Sequence, residues 1–478
     1  MAEDLKKKTK KGIFWTFFNS IANNGLSFVV GVIMPRLLSP SDYGITALPA
    51  VFIVVANVFI TGGLDSAMIR KQELKDIDLS TAFLYSTFVG IFAYLLIFFG
   101  APFIAEFYDE PILVPLVRVT ALTFLWSPLA TPQSIILNRN LDFKTLAKIS
   151  VITKIVGAII GISFAYLGYG LWALVIMSVV SSFLQFVQMW ITVKWKPSFR
   201  WSKESFRYLW GFGNKLLASR LIDVVYNNIA PIFIGKFYST AELGVYNRAL
   251  GYAQLPAQQG TYVIQQVTFP VLSKMQDDLE ALARNYRKML KTSAFVLFPL
   301  MTLLAALAKP VIVILVTEKW IESVPYLQLL CFSMMWWPIH SINLNLLQVK
   351  GRSDLFLKLE IWKKTIGFVV MAITLPLGLK YFVGSGIITA FVYVFINTYF
   401  TGKLINVGFL KQMKDLLPIY SLCLIVFAIA YIFTIAFDNY WLQLVLGGTI
   451  GALFYLGCAY IFKFPEIDEV KYMLKRNK

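Results

Sequence analysis

Seven cations and three carboxylates fall inside apolar stretches of this 478-residue chain. Arg118, Lys154, Lys215, Arg220, Lys309, Lys363 and Lys364 are set against Asp65, Asp223 and Glu360. Charge in an apolar setting is costly and usually faces a cavity. A cavity lined by cations suits an anion such as a phosphate or pyrophosphate, which Arg and Lys hold through charge-assisted hydrogen bonds.

Arg220 leads this set. It lies ten residues into an apolar stretch, about 15 Å deep at the helical rise, which is far for snorkelling to the interface. Arg220, Asp223 and Asn227 recur at i, i+3 and i+7 and share one helical face. A mutual Arg220–Asp223 pair would lock helix packing, and lining of a cavity is the reading we carry forward. Lys154 and Arg118 fit the same cavity, and a packing role fits them equally. Lys215, Lys363 and Lys364 are close enough to an end to snorkel. Lys309, beside Pro310, reads as an interface anchor.

Polar stripes point the same way. Asn19, Asn23 and Ser27 follow at i, i+4, i+8, with Asn24 beside them. Gln254, Gln258, Thr261 and Gln265 form a second stripe, and Ser341, Asn345 and Gln348 a third. Any one amide is explained as glue between helices. Together they predict a shared polar cavity, to which we assign Asn23, Asn24, Gln258 and Gln265. His340 is the single histidine, and Cys331, Cys423 and Cys458 are far apart in apolar runs. No catalytic residue, metal site or cofactor is therefore expected, and no Gly-rich nucleotide loop is present.

These residues must be positioned by helices. Hydrophobic residues make up 58% of the chain and charged ones 15%. Fourteen apolar segments of about 20 residues are each long enough to cross a bilayer. To within a few residues at each edge, they read as 13–37, 43–64, 79–104, 112–137, 149–167, 171–193, 210–234, 249–272, 292–315, 324–347, 356–377, 383–405, 416–437 and 441–462. Only helices satisfy their own backbone in lipid without closing a barrel, so the fold class is all-α integral membrane. The first segment is too long for a signal peptide and lacks a clear cleavage site, so it reads as a retained span.

The loops between these segments alternate in charge. One side carries 32 Lys and Arg; the other carries only Arg36, Lys236, Arg248, Lys319 and Lys380. The alternation predicts that both termini are cytoplasmic, in a multi-pass protein of the cell membrane. The net charge of +18 is thereby assigned to loops facing anionic lipid and not to nucleic acid.

The chain also echoes itself. Ser39-Pro40-Ser41-Asp42-Tyr43-Gly44 follows the first segment, and Ser239-Thr240-Ala241-Glu242-Leu243-Gly244 follows the seventh. Six spans per half, entered from the same side, make a parallel repeat of the kind found in transporters. The expected organisation is an N-lobe over 1–194, a cytoplasmic linker over 195–209, a C-lobe over 210–409, and a C-terminal helix pair with tail over 410–478. Aromatic residues Trp195, Phe199, Trp201 and Phe206 suit a linker on the membrane surface. Leu279, Leu282, Tyr286 and Leu290 mark a second such face. The last two spans lack Lys, Arg, Asp and Glu. They read either as lipid-facing supports or as a groove for an apolar ligand tail.

With these features in place, the chain resembles the oligosaccharide flippase family, the Wzx-type polysaccharide exporters of the multidrug/oligosaccharidyl-lipid/polysaccharide superfamily, in the branch of the colanic-acid exporters. The resemblance rests on 35–44 (Pro-Arg-Leu-Leu-Ser-Pro-Ser-Asp-Tyr-Gly), Gly63-Leu64, Ile69-Arg70, Tyr246-Asn247-Arg248-Ala249 and Phe269-Pro270-Val271-Leu272-Ser273-Lys274. It implies two lobes around a cavity and alternating access between leaflets. It implies a polyprenyl-pyrophosphate-linked oligosaccharide as substrate, with the pyrophosphate near Arg220, Lys154 and Arg118 and the polyprenyl tail at the last two helices. It further implies a proton or sodium gradient, with Asp223 as the deep carboxylate available for coupling, and polysaccharide polymerase and export machinery as partners. Three other readings compete. A peptidoglycan-precursor flippase differs in substrate alone. A multidrug antiporter would need carboxylates that the first span lacks. A membrane polymerase or ligase would need a sizeable outer loop, and none is present.

Overall fold

The computed structural model describes residues 2–469, apart from the side chains of residues 2–10, 13 and 267, and the described residues contain helices and no strand. The chain divides into two compact units, Met1–Gly244 and Val245–Lys478.

The first unit opens with α1 (Ala2–Leu37), α2 (Pro40–Ala47), α3 (Ala50–Thr61) and α4 (Leu64–Arg70). It continues through α5 (Asp76–Tyr108), α6 (Leu113–Ala121), α7 (Thr123–Trp126), α8 (Thr131–Arg139), α9 (Phe143–Tyr166), α10 (Trp172–Thr192) and α11 (Lys203–Phe237). Next, α12 (Thr240–Ser273) starts in the first unit and runs into the second. The second unit adds α13 (Leu279–Ala306), α14 (Ala308–Val316), α15 (Ser323–Met334), α16 (Trp337–Val349) and α17 (Ser353–Thr374). It closes with α18 (Leu379–Ile405), α19 (Phe409–Ala436) and α20 (Tyr440–Ile461).

Eleven stretches among the described residues are long and apolar enough to cross a membrane. They coincide with the expected spans except the eighth, tenth and eleventh. Those three are helical but more polar or broken. The eighth is the glutamine-striped α12; the tenth is divided between α15 and α16, with Pro338 in the first turn of α16. The eleventh is α17, which carries Lys358, Glu360, Lys363 and Lys364.

The internal echo has a physical basis. Ser39 and Asp42 form a capping box at α2, with Ser39 N donating to Asp42 Oδ2 at 2.8 Å and Asp42 N to Ser39 Oγ at 3.2 Å. Ser239 and Glu242 repeat it, at 3.0 and 3.2 Å. The two copies touch, since the hydroxyls of Ser41 and Thr240 lie 3.0 Å apart. A Cβ on Gly44 would meet the Thr240 carbonyl oxygen at 1.7 Å, and one on Gly244 the Pro40 carbonyl oxygen at 1.9 Å. Glycine is required at both positions because backbone meets backbone there.

Two amphipathic segments resolve differently from a membrane-surface reading. Residues 193–202 form no helix and dock on α5, with Trp195 edge-on to Phe83 at 6.2 Å and Ser198 N donating to Ser80 Oγ at 3.1 Å. Of the second face, Leu282, Tyr286 and Leu290 are fully buried while Leu279 is 52% exposed. That stripe is the core face of α13, which packs on α15, α16 and α19. Periodicity locates an apolar face but does not say whether lipid or protein covers it.

Behind that face lies a buried polar network. Gln412 Nε2 donates to the Val407 carbonyl at 3.0 Å and to Tyr286 Oη at 3.1 Å. Asn343 Nδ2 donates to Gln412 Oε1 at 3.1 Å, and Thr401 Oγ1 to Asn343 Oδ1 at 3.2 Å. The four residues tie α13, α16, α18 and α19 together, each satisfying a group that burial would otherwise leave costly. Helices α19 and α20, whose stretches 416–437 and 441–462 carry no charged residue, pair with each other. Tyr455 Oη of α20 donates to the Phe295 carbonyl of α13 at 2.9 Å.

Candidate functional site

The polar stripe of α1 faces α9 and holds Lys154. Asp142 caps α9 and starts it in phase, its side chain accepting from Thr145 N at 3.1 Å. Three turns on, Lys154 Nζ donates to the Asn23 carbonyl at 2.8 Å and to Ser27 Oγ at 2.6 Å. Asn23 Nδ2 donates to Asn19 Oδ1 at 2.7 Å, and Ser150 Oγ to Asn23 Oδ1 at 3.2 Å. Asn24 sits beside the cluster and donates to Ser20 Oγ at 3.4 Å. All these partners are neutral, and Lys154 has no carboxylate partner among the described residues. An ammonium has three N–H donors, and two are committed here. The arrangement keeps a positive charge at a half-buried site and leaves a donor for an anion.

Arg220 is treated differently. Gly62 and Gly63 both have positive φ, 55° and 68°, and they split the second span between α3 and α4. A Cβ on Gly63 would meet the Gly213 carbonyl oxygen at 2.4 Å, and one on Gly213 the Gly62 carbonyl oxygen at 2.7 Å. This contact lets α11 approach the start of α4. Two turns beyond Gly213, Arg220 Nη1 reaches both carboxylate oxygens of Asp65 at 3.3 Å, and Nη2 donates to Ser66 Oγ at 3.2 Å. The pair is partly open, with side chains 42% and 33% exposed. Asp223 and Asn227 lie further along α11 and are exposed.

The remaining expected residues take no part in the contacts of these two groups. Arg118 of α6 lies against α5, its Nε donating to the Phe98 carbonyl at 3.1 Å while its guanidinium lies 4.2 Å from that ring's centre. Gln258 and Gln265 are exposed on the part of α12 that belongs to the second unit. Lys363 pairs with Glu360, and Tyr393 Oη donates to the Lys363 carbonyl at 2.7 Å. Among the described residues no three His, Cys, Asp or Glu side chains are placed to share a metal ion.

Residues 33–325 match the family described as "Polysaccharide biosynthesis protein". The chain belongs to this family. The chain is 26% identical to the teichuronic acid biosynthesis protein TuaB of Bacillus subtilis, over 73% of each chain. It is 23% identical to the lipopolysaccharide biosynthesis protein WzxC of Escherichia coli, over 75% of this chain and 73% of that one. Its fold is similar to that of a solved lipid II flippase, MurJ, in an inward closed conformation. That likeness has a TM-score of 0.75 and 18% identity, and it covers 95% of this chain and 99% of the other. The chain therefore shares the all-α fold of that multi-pass membrane protein, as the resemblance implied.

Asp65, Ser66, Ser27 and Ser150 complete the two clusters, and pattern reading passed over all but Ser27 in this role. Asp65 carried a signal, being one of three carboxylates inside apolar stretches. Its pairing with Arg220 crosses 155 residues and was not readable from spacing.

Proposed function

We propose that the protein moves a polyprenyl-pyrophosphate-linked oligosaccharide from the inner to the outer leaflet for surface polysaccharide export. The observation that carries this reading is Lys154. It is a cation inside a span, held by neutral oxygens and lacking a carboxylate, in a chain of a polysaccharide biosynthesis family. Such a group gains most from an anion entering from water, because no resident charge must be displaced. Arg220 and Arg118 provide further positive potential, with Asn23, Asn24 and Asn227 as hydrogen-bonding groups for sugar hydroxyls.

In the same reading, both termini are cytoplasmic and access alternates between leaflets around two lobes. A proton or sodium gradient drives the cycle, with Asp223 as its carboxylate, and α19 with α20 accommodate the polyprenyl tail. Polysaccharide polymerase and export machinery take up the delivered product. A second reading, flipping of a peptidoglycan precursor, draws on the fold shared with the lipid II flippase.

The deciding experiment follows fluorescent lipid-linked oligosaccharide and lipid II across the leaflets of proteoliposomes under imposed proton or sodium gradients. Movement of the oligosaccharide by wild type, with loss in a folded Lys154→Met variant, supports the first reading. Movement of lipid II alone supports the second. Movement of neither under any gradient overturns both.

A further inference from the structure

In the second unit the first turns of α13, the end of α18, the start of α19 and residues 465–469 enclose a cavity of about 890 Å³. Six cations line it, namely Arg284, Arg287, Lys288, Lys291, Lys403 and Lys411, against Glu280 and Glu469. Three of the cations are already neutralised. Arg287 grips Asp415 with two bonds of 2.7 Å, Lys288 meets Glu469 at 3.0 Å, and Lys291 meets Glu466 at 2.9 Å. Arg284, Lys403 and Lys411 have no carboxylate partner among the described residues. Lys403 lies 4.5 Å from the centre of the Tyr399 ring, and Lys411 Nζ donates to the Asn406 carbonyl at 2.8 Å.

The walls are fixed from behind. Tyr286 and Gln412, both fully buried in the polar network, directly adjoin Arg287 and Lys411 in sequence, and buried Thr401 precedes Lys403 by two residues. The cations are thus presented from a rigid base, which lowers the ordering cost of a bound anion. Leu404 and Val407 give the lining an apolar side.

We propose that this pocket binds a phosphate-bearing anion, with Arg284, Lys403 and Lys411 as the cations that no carboxylate neutralises among the described residues. The ligand is the headgroup of an acidic membrane lipid or a soluble phosphate compound on the face that the charge alternation assigns to the cytoplasm. The site lies outside the α1–α9 and α4–α11 clusters and does not depend on the transported substrate.

The test measures binding to purified protein by native mass spectrometry and thermal unfolding, with phosphatidylglycerol, phosphatidylcholine or inorganic pyrophosphate added. Wild type is compared with Arg284→Ala/Lys403→Ala and with Lys203→Ala/Arg207→Ala, which removes equal charge from exposed sites of the first unit. The expected result is binding of phosphatidylglycerol or pyrophosphate that weakens about tenfold or more in the pocket variant and stays unchanged in the control. Selectivity for phosphatidylglycerol identifies a lipid source, and for pyrophosphate a soluble one. Should the double variant fail to fold, Arg284→Gln alone, at an exposed position, carries the same comparison. Equal affinity in all proteins, or equal loss in both variants, overturns the proposal.

Discussion

Lys154 and Arg220 are both half-buried cations on membrane-spanning helices of the first unit, yet their surroundings are opposite. Lys154 is caged by a carbonyl and a hydroxyl of α1. Arg220 faces a carboxylate and a hydroxyl of α4. Neutral oxygens satisfy donors without cancelling charge, whereas Asp65 offsets the charge it contacts. A site with the first arrangement is poised to receive an anion. In the second, an incoming phosphate competes with Asp65 for the same guanidinium. The difference moves the leading role from Arg220, which depth in its span favoured, to Lys154.

The largest effect is expected at Lys154. Lys154→Met should lower transport about 100-fold, as loss of a charge-assisted contact in a partly dry site implies. Its unfolding temperature should hold or rise, because a cation leaves an apolar span. A folded variant that transports normally would return Arg220 to the lead.

Gly213→Ala comes next. The added Cβ meets the Gly62 carbonyl oxygen at 2.7 Å and Leu64 Cδ2 at 3.2 Å. Two backbones must separate, at a cost of about 1–3 kcal/mol, measured by denaturant unfolding. An unchanged midpoint would mean that the glycine approach does not position Arg220.

Asp65→Ala is expected to destabilise by about 1 kcal/mol, since the pair is partly exposed and screened. In an Arg220→Ala background the same substitution should cost much less, and a double-mutant cycle reads the coupling directly. Zero coupling would remove the contrast between the two cations. The smallest effect is expected from Ser27→Ala, which takes one hydroxyl from Lys154 and should slow transport roughly threefold without changing stability.

Much of this was legible in sequence. The polar residues of α1 were visible as a stripe, and Lys154 as a cation inside an apolar stretch. The echo at Ser39 and Ser239 marked two helix starts because a capping box is local, closed within four residues. What could not be read was the partner across the helix. Asn23 meets Lys154 and Ser150, and Asp65 meets Arg220, over separations of 127 to 155 residues. Neither separation follows from helical periodicity. The buried face of Leu282, Tyr286 and Leu290 was likewise visible as a stripe while its covering by α15, α16 and α19 was not.

By itself, then, the sequence determined the helical class, the membrane setting, the alternation of loop charge and the local caps. These depend on composition and on residues within one or two turns of each other. Tertiary structure decided which cation is neutralised and which is left with neutral partners. That choice rests on Gly62, Gly63 and Gly213, where the absence of side chains lets two helices approach closely enough for a carboxylate of one to reach a guanidinium of the other.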